Sequence, residues 1–303
     1  MFKKNWKKIG IVTLAILALL TVGCAGDNGD EGTEGGEASG ESVGESLDYT
    51  ITGIDAGAGV VAAAEQAVED YELDFTVQTS SGAAMTQALG DAIEKEEPIV
   101  VTGWSPHWKF AKYELKYLDD PKGSFGEAET INTITRLGLE EDMPEANQIL
   151  DNFYWEHADM EAVMSEINEG GDPEDVARQW VDDNQDKVSE WTDGVEKVDG
   201  EAISLAYVAW DTEIASTNVI GTVLGDMGYE VDLKQVENGP MWEAVASANT
   251  DAIVAAWLPG THGDHYEKFE GEFVDLGPNL EEAKIGLVVP AYMDIDSIED
   301  LAE

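Results

Sequence analysis

One plan of strands and helices occurs twice in this chain, and it restricts the fold to an α/β design in two halves. The first copy has a strand at residues 49–54, then Asp55, a loop, and a helix with Val60, Val61, Ala64 and Val68 on one face. A strand at 75–77, a Ser/Gly loop, a helix carrying Met85, Leu89 and Ile93, and a strand ending in Gly103-Trp104 complete it. The second copy has a strand at 204–208, Trp210-Asp211, and a helix with Val219, Ile220, Val223, Leu224 and Met227. A strand at 231–233, an Asn238-Gly239-Pro240 loop, a helix with Met241 and Val245, and a strand ending in Ala256-Trp257 follow. Asp55 to Trp104 spans 49 positions and Asp211 to Trp257 spans 46, so the copies are near-equal in length. Strands alternating with amphipathic helices predict parallel sheets. Two such units predict two lobes that present strand ends to a shared crevice.

Residues 130–191, between the copies, read as mostly helical. Met160, Val163, Met164 and Ile167 share a face, and Asp172-Pro173 starts a further helix carrying Val176, Trp180 and Val181. Trp155, Trp180 and Trp191 lie in this region and are expected in the core rather than at a ligand. Residues 193–200 read as a loop, and a last strand is expected at 285–289.

The N-terminus reads as a secretory leader. Lys3, Lys4, Lys7 and Lys8 precede an apolar run at residues 9–22, and Gly23-Cys24 follows. That run is shorter than the ~20 residues a spanning helix needs, which favours cleavage over the alternative of a retained membrane helix. Cys24 is the chain's single cysteine. A small residue followed by cysteine at this point looks like a bacterial lipoprotein cleavage site, with Cys24 as the lipidation position. Residues 25–47 are Gly, Ser, Glu and Asp with almost no apolar side chain, and read as a flexible acidic tether. The expected organisation is a leader at 1–23, a tether at 24–47, lobe one at 48–120 with 291–303 returning to it, and lobe two at 121–290.

The chain holds 64 acidic and 16 basic residues, and four of the basic ones sit in the leader. Such acidity argues against nucleic acid and against adsorption to anionic lipid as binding modes. It suits a domain exposed to high salt, where repulsion between surface charges is screened.

Trp104, Trp210 and Trp257 each follow a strand-like apolar run, where α/β folds set ligand-binding groups. Three indole faces around one cavity would suit a quaternary ammonium, which has no hydrogen to donate and binds through cation–π attraction. Gly57-Ala58-Gly59-Val60-Val61-Ala62 follows a strand and fits the Gly-x-Gly-x-x-Ala dinucleotide fingerprint, with Asp74 as a candidate ribose acid. What the motif guarantees physically is a helix N-terminus with free N–H groups, which a carboxylate occupies as well as a pyrophosphate does. His262, Asp264 and His265 form a possible metal set, though three ligands within four residues of a loop suit tetrahedral geometry poorly. His262 is better read as a donor to an anionic ligand group. His107 either lines the same cleft or is solvated. No Gly-x-Ser-x-Gly elbow and no cysteine nucleophile are present, so no catalytic role, cofactor or metal is assigned.

The stretches Gly103-Trp104-Ser105-Pro106-His107-Trp108, Gly53-Ile54-Asp55-Ala56-Gly57, Ala206-Tyr207-Val208-Ala209-Trp210-Asp211 and Ala256-Trp257-Leu258-Pro259 through His262 resemble the glycine betaine-binding proteins of ABC-type osmoprotectant importers. So does the run from Phe110 through Tyr113 and Leu115 to Lys122. The order of the two halves resembles the lipoprotein branch, whose halves are circularly permuted relative to many relatives. The resemblance implies a two-lobed, periplasmic-binding-protein fold of the type II-like class. It also implies a trimethylammonium box at Trp104, Trp210 and Trp257, with the ligand carboxylate held by backbone N–H groups of Gly59 and Val60 and by His262. Ala58 is a rival backbone donor. Glycine betaine and proline betaine are the implied ligands. An ABC permease with its ATPase subunit is the implied partner of a monomer that is lipid-anchored on the extracytoplasmic face of the cell membrane.

Overall fold

The computed structural model describes residues 42–302; the leader, Cys24 and most of the tether lie outside the described residues. Three short strands, β1 (Thr50–Thr52), β2 (Thr76–Gln78) and β3 (Val101–Ser105), run parallel, joined by the helices Gly59–Asp70 and Gly82–Lys95. Ser81 starts the second of these helices by accepting the Ala84 N–H, and Glu96, at φ 56°, ends it. β4 (Leu115–Tyr117) and β5 (Glu129–Arg136) follow, then a helical segment, then β6 (Ala202–Tyr207), β7 (Glu230–Gln235), β8 (Ala252–Leu258) and β9 (Phe273–Pro290). β6, β7 and β8 are parallel, with the helices Asp211–Asp226 and Asn238–Ala246 as crossovers.

The hydrogen-bonded order is β2-β1-β3-β9-β5-β8-β6-β7, with β4 also on β9. β9 belongs to both halves. Its residues 284–290 pair antiparallel with β3 and β4, and its residues 273–283 pair antiparallel with β5. Lobe one is therefore β1 to β4 plus the end of β9, and lobe two is β5 to β8 plus its beginning.

The all-parallel expectation is corrected on this point: the two parallel units are closed off by antiparallel β5 and β9. The expected helical stretch 130–191 opens on β5, where alternating Thr and Ile side chains favour a pleated backbone. The expected last strand at 285–289 is only the end of an 18-residue strand, and the lobe boundary falls inside that strand, near Ala283, rather than at 290. Asn238-Gly239-Pro240 forms the first turn of a helix, not a loop. Proline is tolerated there because first-turn N–H groups have no intrahelical acceptor. Order also begins before residue 48: a capping box between Ser42 and Glu45 starts the helix Val43–Ser46, and Leu47 is buried.

The C-terminal residues pack on lobe one. Asp119 donates its N–H to the Asp296 carbonyl at 2.8 Å, and the Ile298 N–H donates to the Asp119 carbonyl at 3.0 Å. In lobe two, Trp155, Trp180 and Trp191 are buried together, with Trp180 stacked on Trp191 at 5.8 Å and Trp155 edge-on to Trp180. Asp172 caps the helix Pro173–Asp183, accepting the N–H groups of Glu174 and Asp175. Among the described residues no helix is long and apolar enough to cross a membrane.

Candidate ligand-binding site

The lobes close on each other at the ends of their parallel strands. Asp55, just beyond β1, accepts the indole N–H of Trp210 from lobe two at 2.9 Å. Asn238 Nδ2 donates to the Gly57 carbonyl at 3.0 Å, and Trp108 Nε1 donates to Asp211 Oδ1 at 3.1 Å. Gly59 meets Thr261 so closely that a Cβ at position 59 would lie 2.1 Å from the Thr261 carbonyl oxygen. Only glycine allows that approach.

This seam holds a cavity lined by Ile54, Ala58, Gly59, Val60, Trp104, Trp210, Thr212, Trp257, Thr261, His262 and Ile285. Trp104 enters from β3 of lobe one, Trp257 from β8 of lobe two, and Trp210 from the residue that precedes the helix Asp211–Asp226. All three indoles are buried. The cavity thus has an aromatic wall contributed by both lobes.

Its polar groups are few. The helix Gly59–Asp70 begins here with no side-chain cap. The N–H groups of its first residues, Gly59 and Val60, have no acceptor within the helix, and the helix dipole adds positive potential. Val60 is buried and lines the cavity. His262 is fully buried, and its Nδ1 accepts the Trp257 backbone N–H at 3.1 Å. Accepting at Nδ1 assigns the ring proton to Nε2. Burial, with His265 nearby, lowers the ring to about 3, so His262 is neutral at physiological pH. Its Nε2, like Trp104 Nε1, has no hydrogen-bond partner among the described residues. A buried donor without an acceptor costs about 1–3 kcal/mol, and an anionic ligand group relieves that cost.

A second layer of charge lies behind Trp104. Lys109 is fully buried, with Nζ 4.3 Å from the Trp104 ring centroid and 3.3 Å from the Trp104 carbonyl. Burial holds its ammonium well below the usual range, with Asp211 opposing. His107 is buried rather than solvated, and it does not line the cavity. It packs edge-on to Trp104 at 4.8 Å, accepts the Lys109 N–H on Nδ1, and faces Asp211 Oδ2 from Nε2 at 3.4 Å. Burial, then Lys109, lowers His107 to about 4. Burial alone would raise the Asp211 carboxyl, yet His107, Trp108 and Lys109 together hold it below its usual value.

Trp104, Trp210, Trp257, Gly59, Val60 and His262 therefore line one cavity, with Ala58 beside them. Cys24 lies outside the described residues. The Gly57 to Ala62 stretch read as a dinucleotide fingerprint supplies a helix start to this cavity, with Gly59 packed against Thr261 of the opposite lobe. In the suggested metal set, His262 Nδ1 is taken by a backbone N–H. His265 stacks instead on Trp242, and Asp264 and His265 line an adjoining crevice rather than the cavity itself. Sequence reasoning missed Thr212, Thr261, Lys109 and the cross-lobe roles of Asp55 and Asp211. The two aspartates were visible as the residues that end matching strands in the repeated plan.

The sequence profile of the substrate-binding domain of ABC-type glycine betaine transport systems matches residues 35–183 and 201–303. The glycine betaine/carnitine transport binding protein of Listeria monocytogenes serotype 1/2a (strain 10403S) is 56% identical over 265 residues, which is 86% of this chain and 88% of that protein. An uncharacterised protein of Chromohalobacter salexigens is 30% identical over 107 residues, 34% of this chain and 68% of that one. Among solved structures, a closed lactococcal protein complexed with glycine betaine is 52% identical over 48% of this chain and 58% of its own, with a TM-score of 0.47.

Proposed function

This chain belongs to the family of substrate-binding domains of ABC-type glycine betaine transport systems, and on that premise we propose that it captures glycine betaine, and proline betaine with it, in the seam between its lobes. Members of the family are substrate-binding components of importers rather than enzymes, and they act outside the cytoplasm. Trp104, Trp210 and Trp257 surround the trimethylammonium, and Gly59, Val60 and His262 hold the carboxylate. The observation that carries this reading is one cavity lined by three indoles from both lobes, an uncapped helix start, and a neutral histidine with a free Nε2.

The energetics suit a zwitterion. Each cation–π contact contributes about 0.5–2 kcal/mol, most when desolvated. Each charge-assisted hydrogen bond contributes about 1.5–3 kcal/mol. After the cost of association, such a set leaves roughly micromolar affinity. A ligand with a cation and no anion, such as choline, forfeits the second group of contacts. Carnitine, which the Listeria relative's name includes, carries the same two charges on a longer spacer.

Closure brings both lobes' surfaces into one arrangement for a membrane permease, whose ATPase subunit supplies the energy. Cys24 is the lipid attachment point, which keeps the monomeric binding protein at the outer face of the membrane. A calorimetric titration with glycine betaine, proline betaine, carnitine and choline tests the ligand assignment, and absence of heat with either betaine overturns it. Release of the Cys24→Ser protein from cells into the medium tests the anchor.

A further inference from the structure

Glu129 was not marked by any sequence signal, yet it is buried and occupies the strand crossing between the lobes. It opens β5 and pairs with Ala283 of β9, one residue before β9 passes into the other sheet. Its side chain reaches the loop that follows β8. Oε1 accepts the backbone N–H of Gly260 at 2.7 Å and of Thr261 at 2.6 Å, and Oε2 accepts the Thr261 hydroxyl. Gly260 fits against it so tightly that a Cβ there would sit 2.7 Å from Oε1.

That loop carries much of the site. It runs from Trp257, through Thr261, whose carbonyl meets Gly59 of lobe one, to His262, whose ring is fixed by the Trp257 N–H. Gly260 is exposed and Thr261 half-buried, so without this acceptor water takes the two N–H groups and nothing holds the loop in this one geometry. We propose that Glu129 is the positioning residue of the site: by gripping Gly260 and Thr261 from the lobe crossing, it sets the His262 Nε2–H for the ligand carboxylate and seats Thr261 against Gly59. The inference deepens the betaine-binding reading and rests on it. The carboxyl group does not touch ligand. It acts through the loop, and it ties the loop's geometry to the strand about which the lobes meet.

The test compares wild type, Glu129→Ala and Glu129→Gln by calorimetry with glycine betaine and by long-range ¹H–¹⁵N spectra of the histidine rings. The chain has four histidines, so a His262→Gln control assigns the His262 ring. In Glu129→Ala the expected results are a loss of affinity of roughly tenfold or more and loss of the single Nε2–H tautomer signature of His262. Glutamine can accept both N–H groups on its amide oxygen and donate to the Thr261 hydroxyl, so Glu129→Gln is expected to recover most of the affinity and the signature. Affinity within about twofold of wild type in Glu129→Ala overturns the proposal, as does weakened binding with the His262 spectrum unchanged. If Glu129→Ala does not fold, Gly260→Ala carries the same test, because it displaces the loop while keeping the carboxyl group. Failure of wild type to bind betaine would instead overturn the ligand assignment, so the two failures are distinguishable.

Discussion

The backbone N–H of Trp257 donates to Nδ1 of His262 at 3.1 Å, so the residue that supplies one wall of the aromatic cavity also fixes the tautomer of the only histidine that lines it. A neutral ring with its proton held on Nε2 donates without needing to be charged. With His262 lowered to about 3 and His107 to about 4, neither ring changes charge between pH 5 and 8. Betaine affinity is therefore expected to be flat across that range, and a calorimetric pH series checks it. A sigmoid centred near the ordinary histidine value of about 6.5 would contradict the buried, neutral assignment. Stability behaves differently. Both rings bind fewer protons folded than unfolded below about pH 6.5, so their contribution is lost as pH falls from there toward 4 and 3. His262→Gln is expected to weaken betaine binding by roughly 10–100-fold if one charge-assisted hydrogen bond is lost.

Replacing any one box tryptophan by alanine removes a cation–π contact and opens a cavity. A loss of about tenfold or more is expected for Trp104→Ala or Trp257→Ala, and the Trp104→Ala/Trp257→Ala double variant is expected to show no measurable binding. Circular dichroism checks that the fold persists. Micromolar affinity in the double variant would refute the box.

Gly59→Ala tests closure separately from chemistry. The added Cβ would fall 2.1 Å from the Thr261 carbonyl oxygen, a backbone atom that Glu129 helps to fix through the Thr261 N–H. The lobes must stay slightly apart, at a cost of about 1–3 kcal/mol, which is roughly 10–100-fold in affinity. Small-angle scattering is expected to show less ligand-induced compaction than in wild type, with melting of the ligand-free protein little changed.

Glu213 gives a pH-dependent stability prediction of the opposite sign to the histidines. It is fully buried, its Oε2 accepts the Val208 N–H at 2.6 Å two residues before Trp210, and burial raises its carboxyl to about 8. The folded state therefore keeps a proton that the unfolded state releases. Its contribution is complete below about pH 4.5 and is lost as pH rises through about 8. Glu213→Gln keeps the shape and the acceptor without the titration. The difference in unfolding free energy, variant minus wild type, is expected to grow by about 1–4 kcal/mol from pH 5 to 8.5. Denaturant titrations at the two pH values measure it, and a constant difference would contradict a buried neutral acid.

Much of the site was legible because strand ends in a repeated plan expose single large side chains. Trp104, Trp210 and Trp257 each end such a run, and the Gly57 to Ala62 stretch announces a helix start. What could not be read were contacts whose partners lie far apart in sequence. Glu129 and Gly260 are separated by 131 positions, and neither looks unusual alone. Lys109 carries no signal in the sequence, and only the fold shows it buried behind Trp104. β9 was legible only at its apolar end, because Gly277-Pro278-Asn279 and Glu281-Glu282 interrupt the alternation that marks a strand. Register irregularities opposite β5 absorb those residues.

The 18-residue span of β9 leaves the two halves with no separable hinge loop at that crossing. Any opening of the mouth has to be accommodated there by torsion of a continuous ribbon anchored on β3 at one end and β5 at the other. Such a ribbon is a torsion bar rather than a free joint. It also means that a cut after residue 120 strips lobe one of the β9 end that β3 and β4 pair with, while β5 to β9 stay together in the other piece.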